Sequence, residues 1–145
     1  MKNTLTLALL LLSLTSYSQT ETYPFTGKIT DGQIATVWDN DYRGNIYIEN
    51  DTIYVKPNNK NAAKFTYRIL KSKTKVEGSG KKRKTVTSYS VESTTSIDDD
   101  IKIKMILTLH DKPQKVFGTR LDKMEIISRD TFTETNSVVE YFIVR

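Results

Sequence analysis

The sequence predicts one all-β domain, an antiparallel β-barrel or β-sandwich of about eight to ten strands. Composition is the first reason. Past the leucine-rich start, Thr, Ile, Val and Tyr are abundant while Ala and Leu are scarce, and β-branched and aromatic side chains fit a pleated, half-buried surface better than a helix. The second reason is a strict alternation over 101–110: Ile101, Ile103, Met105, Leu107 and Leu109 share one side, and Lys102, Lys104, Ile106, Thr108 and His110 the other. A period of two sets one side on a core and turns the other to water or a cavity. At helical spacing, Ile101, Lys104, Met105 and Thr108 would fall together, so a helix fits worse. The third reason is spacing, because candidate strands recur at intervals of about ten residues with turn formers between them.

In chain order, residues 33–38 read as an early strand. Residues 45–49 and 52–56 flank Asn50-Asp51, a pair that tolerates positive φ, and read as a tight hairpin. Residues 64–70 form a further strand, and Gly78-Ser79-Gly80 is the flexible tip of a long hairpin that returns along 85–97. Asp98-Asp99-Asp100 turns the chain into the strand at Ile101, and 114–121 and 124–128 follow as later strands. Residues 137–145 are apolar on both faces, which suits a central or closing strand rather than an exposed edge. No internal repeat or interdomain linker is visible.

The start has a different character. Lys2 precedes an apolar run over 5–14 that contains four consecutive leucines. A run this short does not cross a bilayer as a helix, which takes about 20 apolar residues. Ser16 and Ser18 place small residues three back and one back from a cut before Gln19. That is the layout of a cleavable secretory signal over 1–18, leaving 19–145 as a single exported domain. A leucine-rich signal whose polar tail ends just before Gln19 resembles those of Bacteroidota, over the first twenty residues only. The resemblance implies a Gram-negative envelope, so a periplasmic or secreted protein. With no cysteine in 145 residues, the domain has neither a disulfide nor a lipid-bearing cysteine and rests on its packing.

The formal charge is +5, but the excess is local. Lys71, Lys73, Lys75, Lys81, Lys82, Arg83 and Lys84 stand against Glu77 alone, and the rest of the exported segment is slightly acidic. These seven cations are the candidate anion-binding residues. In an envelope their partners are lipopolysaccharide or acidic polysaccharide; the competing role is to keep a long hairpin soluble and its edge unpaired. The stretch holds no aromatic ring to stack a base on, so nucleic acid is not expected.

Catalytic constellations are thin. His110, the single histidine, is followed by Asp111, but neighbours on a strand point to opposite faces, so Asp111 does not orient the ring. His110 therefore reads as a strand-end residue on the polar face. No Gly-x-Ser-x-Gly elbow is present, and thiol catalysis is excluded. One histidine without cysteine argues against zinc. Asp39-Asn40-Asp41 starts like a calcium loop but continues with Arg43 where a ligand belongs, so no metal or other cofactor is expected. Paired carboxylates for glycoside hydrolysis remain an alternative, with Glu49, Glu92 and Glu125 the acids located on strands.

Aromatic residues offer a second binding feature. Trp38, Tyr47, Tyr54 and Tyr67 are the candidates to line a ligand cavity in a barrel with an open mouth. The size, strand count and depth of Trp38 resemble lipocalins, which carry Gly-x-Trp near the start of the barrel; here Thr36 replaces that glycine, and no family is assigned. A lipocalin-like barrel is thus preferred to the sandwich. The expected function is non-catalytic: binding of a small ligand or an envelope partner. The alternatives are a small carbohydrate hydrolase and a structural envelope protein without a ligand.

Overall fold

Among the described residues ten strands follow one another: β1 (Glu21–Asp31), β2 (Thr36–Glu49), β3 (Thr52–Pro57), β4 (Phe65–Glu77), β5 (Lys84–Ser93), β6 (Ile101–His110), β7 (Lys115–Val116), β8 (Thr119–Arg120), β9 (Lys123–Asp130) and β10 (Asn136–Ile143). The structure is a computed structural model describing residues 19–31, 36–95, 100–112, 115–116, 119–120 and 122–145. The signal-like segment 1–18 with Ser18, the start of the strand expected at 33–38, and Asp98-Asp99 lie outside the described residues.

Eight strands close into an antiparallel barrel in the order β1-β10-β9-β6-β5-β4-β3-β2, while β7 and β8 form a separate two-stranded sheet. The barrel is therefore formed, not the sandwich. Apart from that insertion, each strand neighbours the next along the chain, the up-and-down order of lipocalin-like barrels. The strand expected over 114–121 is the exception, since its described residues form two short pieces, 115–116 and 119–120, that pair with each other and stay out of the barrel wall.

Alternation explains the core. Ile46, Ile48, Ile53, Val55, Val91, Met105, Leu107, Met124, Ile126 and Ile143 are buried, and register pairs such as Ile48↔Ile53, Met105↔Ile126 and Leu107↔Met124 put them on one inner surface. Each methylene buried there contributes about 0.8 kcal/mol. The β2–β3 hairpin turns at Asn50, whose φ is 52°, with Glu49 opposite Thr52. β10 does close the barrel, pairing with β9 on one side and β1 on the other.

β1 was not anticipated, because Pro24 and Gly27 interrupt its pattern. Gly27 is the reason the strand works. It adopts φ 85° where the register with both neighbours shifts, so it acts as a bulge. Phe25 pairs with Ile143 before the bulge and Lys28 with Tyr141 after it, so both face inward. Lys28 rests its ammonium over the Tyr42 ring, 4.1 Å from the centroid.

The two ends of the barrel differ. At the upper end lie the β3–β4, β5–β6 and β9–β10 connections. At the lower end lie the Asn50 turn, the β4–β5 tip and the start of β9. β4 outruns β3, whose last partner on it is Arg68, so from Lys71 to Glu77 it pairs with β5 alone.

Gly44 has no room for a side chain, since a Cβ there would lie 2.4 Å from the Lys56 carbonyl oxygen and 2.7 Å from Phe25. Gly44→Ala is expected to destabilise the barrel by about 1–3 kcal/mol, read as a lower urea midpoint. Burial also pushes up the phenols of Tyr23, Tyr67 and Tyr141, and that of Tyr89 to about 12. A phenol that resists ionisation only when folded leaves stability unchanged below the ordinary value of 10.0 and removes it as pH climbs toward the folded value. Unfolding free energy is therefore expected to be flat from neutral pH to about 10 and to fall steeply toward 12, with phenolate absorbance rising together with unfolding.

Candidate functional site

The upper end holds a cavity of about 930 Å³, within the size range of small-molecule sites. Phe65 and Tyr67 from β4, Val91 from β5, Ile101 and Ile103 from β6 and Ile127 from β9 give it an apolar border. Ser93, Thr95, Ser128 and Asn136 add polar groups, and Lys102, Lys104 and Arg129 also border it. The opening exists because the barrel fills unevenly. The largest fully buried side chains, among them Ile46, Ile53, Met105, Met124 and Ile143, fill the section below, whereas Phe65 and Ile101 at the upper rim are more than a third exposed.

Of the four aromatics expected at such a cavity, Tyr67 borders it and the other three do not. Trp38 is half exposed on the outer wall, its ring 5.2 Å from that of Phe142. Tyr47 and Tyr54 pair across β2 and β3 on the outer face, because their neighbours Ile46, Ile48, Ile53 and Val55 take the inner one. Lys56 sits over both rings, 5.2 and 5.0 Å from their centroids. Phe65, Val91, Ile101, Ile103 and Ile127 are apolar liners that the sequence reading passed over. Ile103 was legible as an inward position in the alternation of β6.

The seven basic residues do not share one environment. Lys75 and Lys84 both pair with Glu77, and Arg83 reaches Asp111 at 3.4 Å. Hydrogen bonding from Lys75 and then Lys84 holds the exposed Glu77 carboxyl below its ordinary range. Lys81 and Lys82 lie on a short 3-10 turn, Gly80–Lys82, at the hairpin tip. Lys71 and Lys73 are exposed along β4, facing Ser90 and Ser88.

The strand acids are engaged in ion pairs or exposed. Glu92 pairs with Arg68, and Lys123 bridges Glu125 at 3.2 Å and Glu140 at 2.7 Å on the outer wall; Glu49 is exposed. Asp39 accepts a hydrogen bond from the Asp41 amide at 3.1 Å inside β2, where the register with β1 shifts, so these residues serve an irregular strand and not a calcium loop. Among the described residues no three His, Asp or Glu side chains are grouped to hold an ion.

At the lower end the structure corrects the reading of His110. Its ring is not a polar-face bystander: Nδ1 lies 3.0 Å from Asp122 Oδ1, and the His110 amide donates to the same oxygen at 2.6 Å. Asp122, 1% exposed, also accepts from Arg145 Nε at 2.8 Å, and the guanidinium donates to the His110 carbonyl. The Asp122 carbonyl in turn accepts from the Ile143 amide. Asp122 thereby ties the ends of β6 and β10 to the start of β9. The sequence reading missed it because an Asp just before a strand looks like any turn residue. A histidine oriented by a carboxylate is two-thirds of a triad, yet among the described residues no serine or threonine hydroxyl hydrogen-bonds to the ring. The cluster is a clasp.

No family model, curated protein or solved structure matches this chain. No helix among the described residues is long and apolar enough to cross a membrane.

Arg145→Met leaves a buried carboxylate short of its cation and is expected to cost about 3 kcal/mol in urea unfolding. The double variant Asp122→Leu/Arg145→Met removes both charges and is expected to be more stable than Arg145→Met alone.

Proposed function

We propose that this domain is a non-catalytic carrier that takes a small, largely apolar ligand into the cavity at its upper end. The observation that carries the reading is the cavity itself: about 930 Å³, bordered by Phe65, Tyr67, Val91, Ile103 and Ile127 with a few hydroxyl and amide groups beside them. Apolar walls supply affinity in proportion to the surface removed from water, and sparse polar groups such as Ser93 and Asn136 fix orientation. The acids identified on strands also favour carriage over hydrolysis. Glu92 borders the cavity but is neutralised by Arg68, and Glu125 is bridged to Lys123 on the outer wall. Export belongs to the same proposal and rests on the signal-like segment 1–18.

The test uses a neutral apolar fluorophore, N-phenyl-1-naphthylamine, titrated into the purified protein. One probe per chain is expected to bind with a rise in emission. Ile103→Trp, which narrows the cavity, is expected to weaken binding about tenfold. Phe132→Ser, at a residue 86% exposed on the β9–β10 turn, is expected to leave binding unchanged. Absence of probe binding, or equal binding by Ile103→Trp and the unaltered protein, would rule the cavity out as the site.

A further inference from the structure

Strand register gathers basic residues that are far apart in the sequence. Ser90 pairs with Lys71 on one side and Lys104 on the other, so these three point the same way. Tyr89, the neighbour of Ser90, belongs to the core, so the shared direction is outward. Two residues further up β6, Lys102 pairs with Arg129 of β9 on the same outer wall, and two residues further along β4, Lys73 faces Ser88. Lys73, Lys71, Lys104, Lys102 and Arg129 therefore form a diagonal band across β4, β5, β6 and β9. With strands about 4.8 Å apart and about 3.4 Å per residue, the band runs for roughly 20 Å.

These five cations stand together without a carboxylate partner, whereas other unpaired lysines among the described residues, such as Lys60, Lys64 and Lys82, are not gathered by register on this wall. Arg68, Lys75, Arg83, Lys84 and Lys123 all meet a carboxylate. Lys71, Lys73, Lys102, Lys104 and Arg129 meet none among the described residues, and all five are exposed. Protection of a bare sheet edge accounts for Lys71 and Lys73, which lie where β4 pairs with β5 alone. It does not account for Lys102, Lys104 or Arg129, whose strands are paired on both sides.

We infer that this outer wall is a binding surface for an extended polyanion, an acidic polysaccharide whose carboxylates run along the diagonal. A single phosphate would need donors that converge on one point, whereas these are strung out over several strands. A linear chain bearing regularly spaced charges meets them in succession, with the exposed Ser90 hydroxyl and that of Ser88 between. A membrane surface fits less well, because the most exposed large apolar side chain among the described residues, Phe132, lies on the β9–β10 turn and outside the band. The band shares Lys102, Lys104 and Arg129 with the border of the cavity and Lys71 and Lys73 with the basic run read from the sequence, but it leaves out the hairpin tip with Lys81 and Lys82.

The experiment measures affinity for polygalacturonate and, separately, for phosphatidylglycerol–phosphatidylcholine vesicles at fixed ionic strength. The unaltered protein is expected to bind the polymer and to lose it with added salt, as exposed charges do. The variant Lys71→Ser/Lys104→Ser/Arg129→Ser is expected to bind about tenfold more weakly. The tip variant Lys81→Ser/Lys82→Ser is expected to bind as the unaltered protein does. Thermal unfolding shows whether each variant is folded; if the triple variant is not, Lys104→Ser alone, expected to weaken binding about twofold, takes its place. Failure of the unaltered protein to bind the polymer overturns the inference, as does stronger loss in the tip variant than in the wall variant. Binding to the vesicles but not to the polymer overturns it in favour of a membrane surface.

Discussion

One seam holds this barrel shut, the pairing of β1 with β10. A sheet with two free edges invites other chains to pair with it, and closure removes the edges. The seam imposes a geometric demand on β1, which must follow β2 on one side and β10 on the other. Gly27 meets that demand with a positive φ that no β-branched residue would tolerate comfortably. Rings then lock the seam from both sides. Inside, Phe25 lies 4.8 Å from Tyr141 and 5.9 Å from Tyr42; outside, Trp38 lies against Phe142. Such ring pairs contribute about 0.5–1.5 kcal/mol each beyond the area they bury. In a chain without cysteine, the seam is held by these contacts and its hydrogen-bonded ladder, with no disulfide.

How much of this was legible in the sequence depended on whether a signal was local. β6 was read to its residue limits because an unbroken alternation of ten residues is a local property. The Asn50-Asp51 turn and the closing character of β10 were readable for the same reason. β1 escaped, since Pro24 and Gly27 are breakers in isolation and become a bulged strand only with two neighbours present. Facing was legible within a strand but not around the barrel. Tyr47 alternates with Ile46 and Ile48, yet nothing local says which of the two sets is inside.

The candidate sites were the least legible, because each is made by register. Asp122 and His110 are twelve residues apart and Arg145 is further still, yet they share one carboxylate. Lys71 and Lys104 face one another across Ser90. Contiguous sequence had grouped Lys71 with Lys84 instead, yet Lys84 pairs with Glu77 while Lys71 stands opposite Ser90 and meets no carboxylate among the described residues. A run of like charges in the sequence thus says little about a charged surface when the chain is a barrel, where neighbours in space come from adjacent strands.

The seam also bears on the order of events during folding. β1 and β10 are the first and last strands of the barrel, so their contacts have nearly the greatest sequence separation the domain contains. Contacts of that kind are made late, because loop closure is costly before other pairings have shortened the path between the ends. The β2–β3 and β4–β5 hairpins have short connections and can form early. Until the seam closes, the open meander has two unpaired borders. A chain built this way is most exposed to pairing with its own copies before the seam closes.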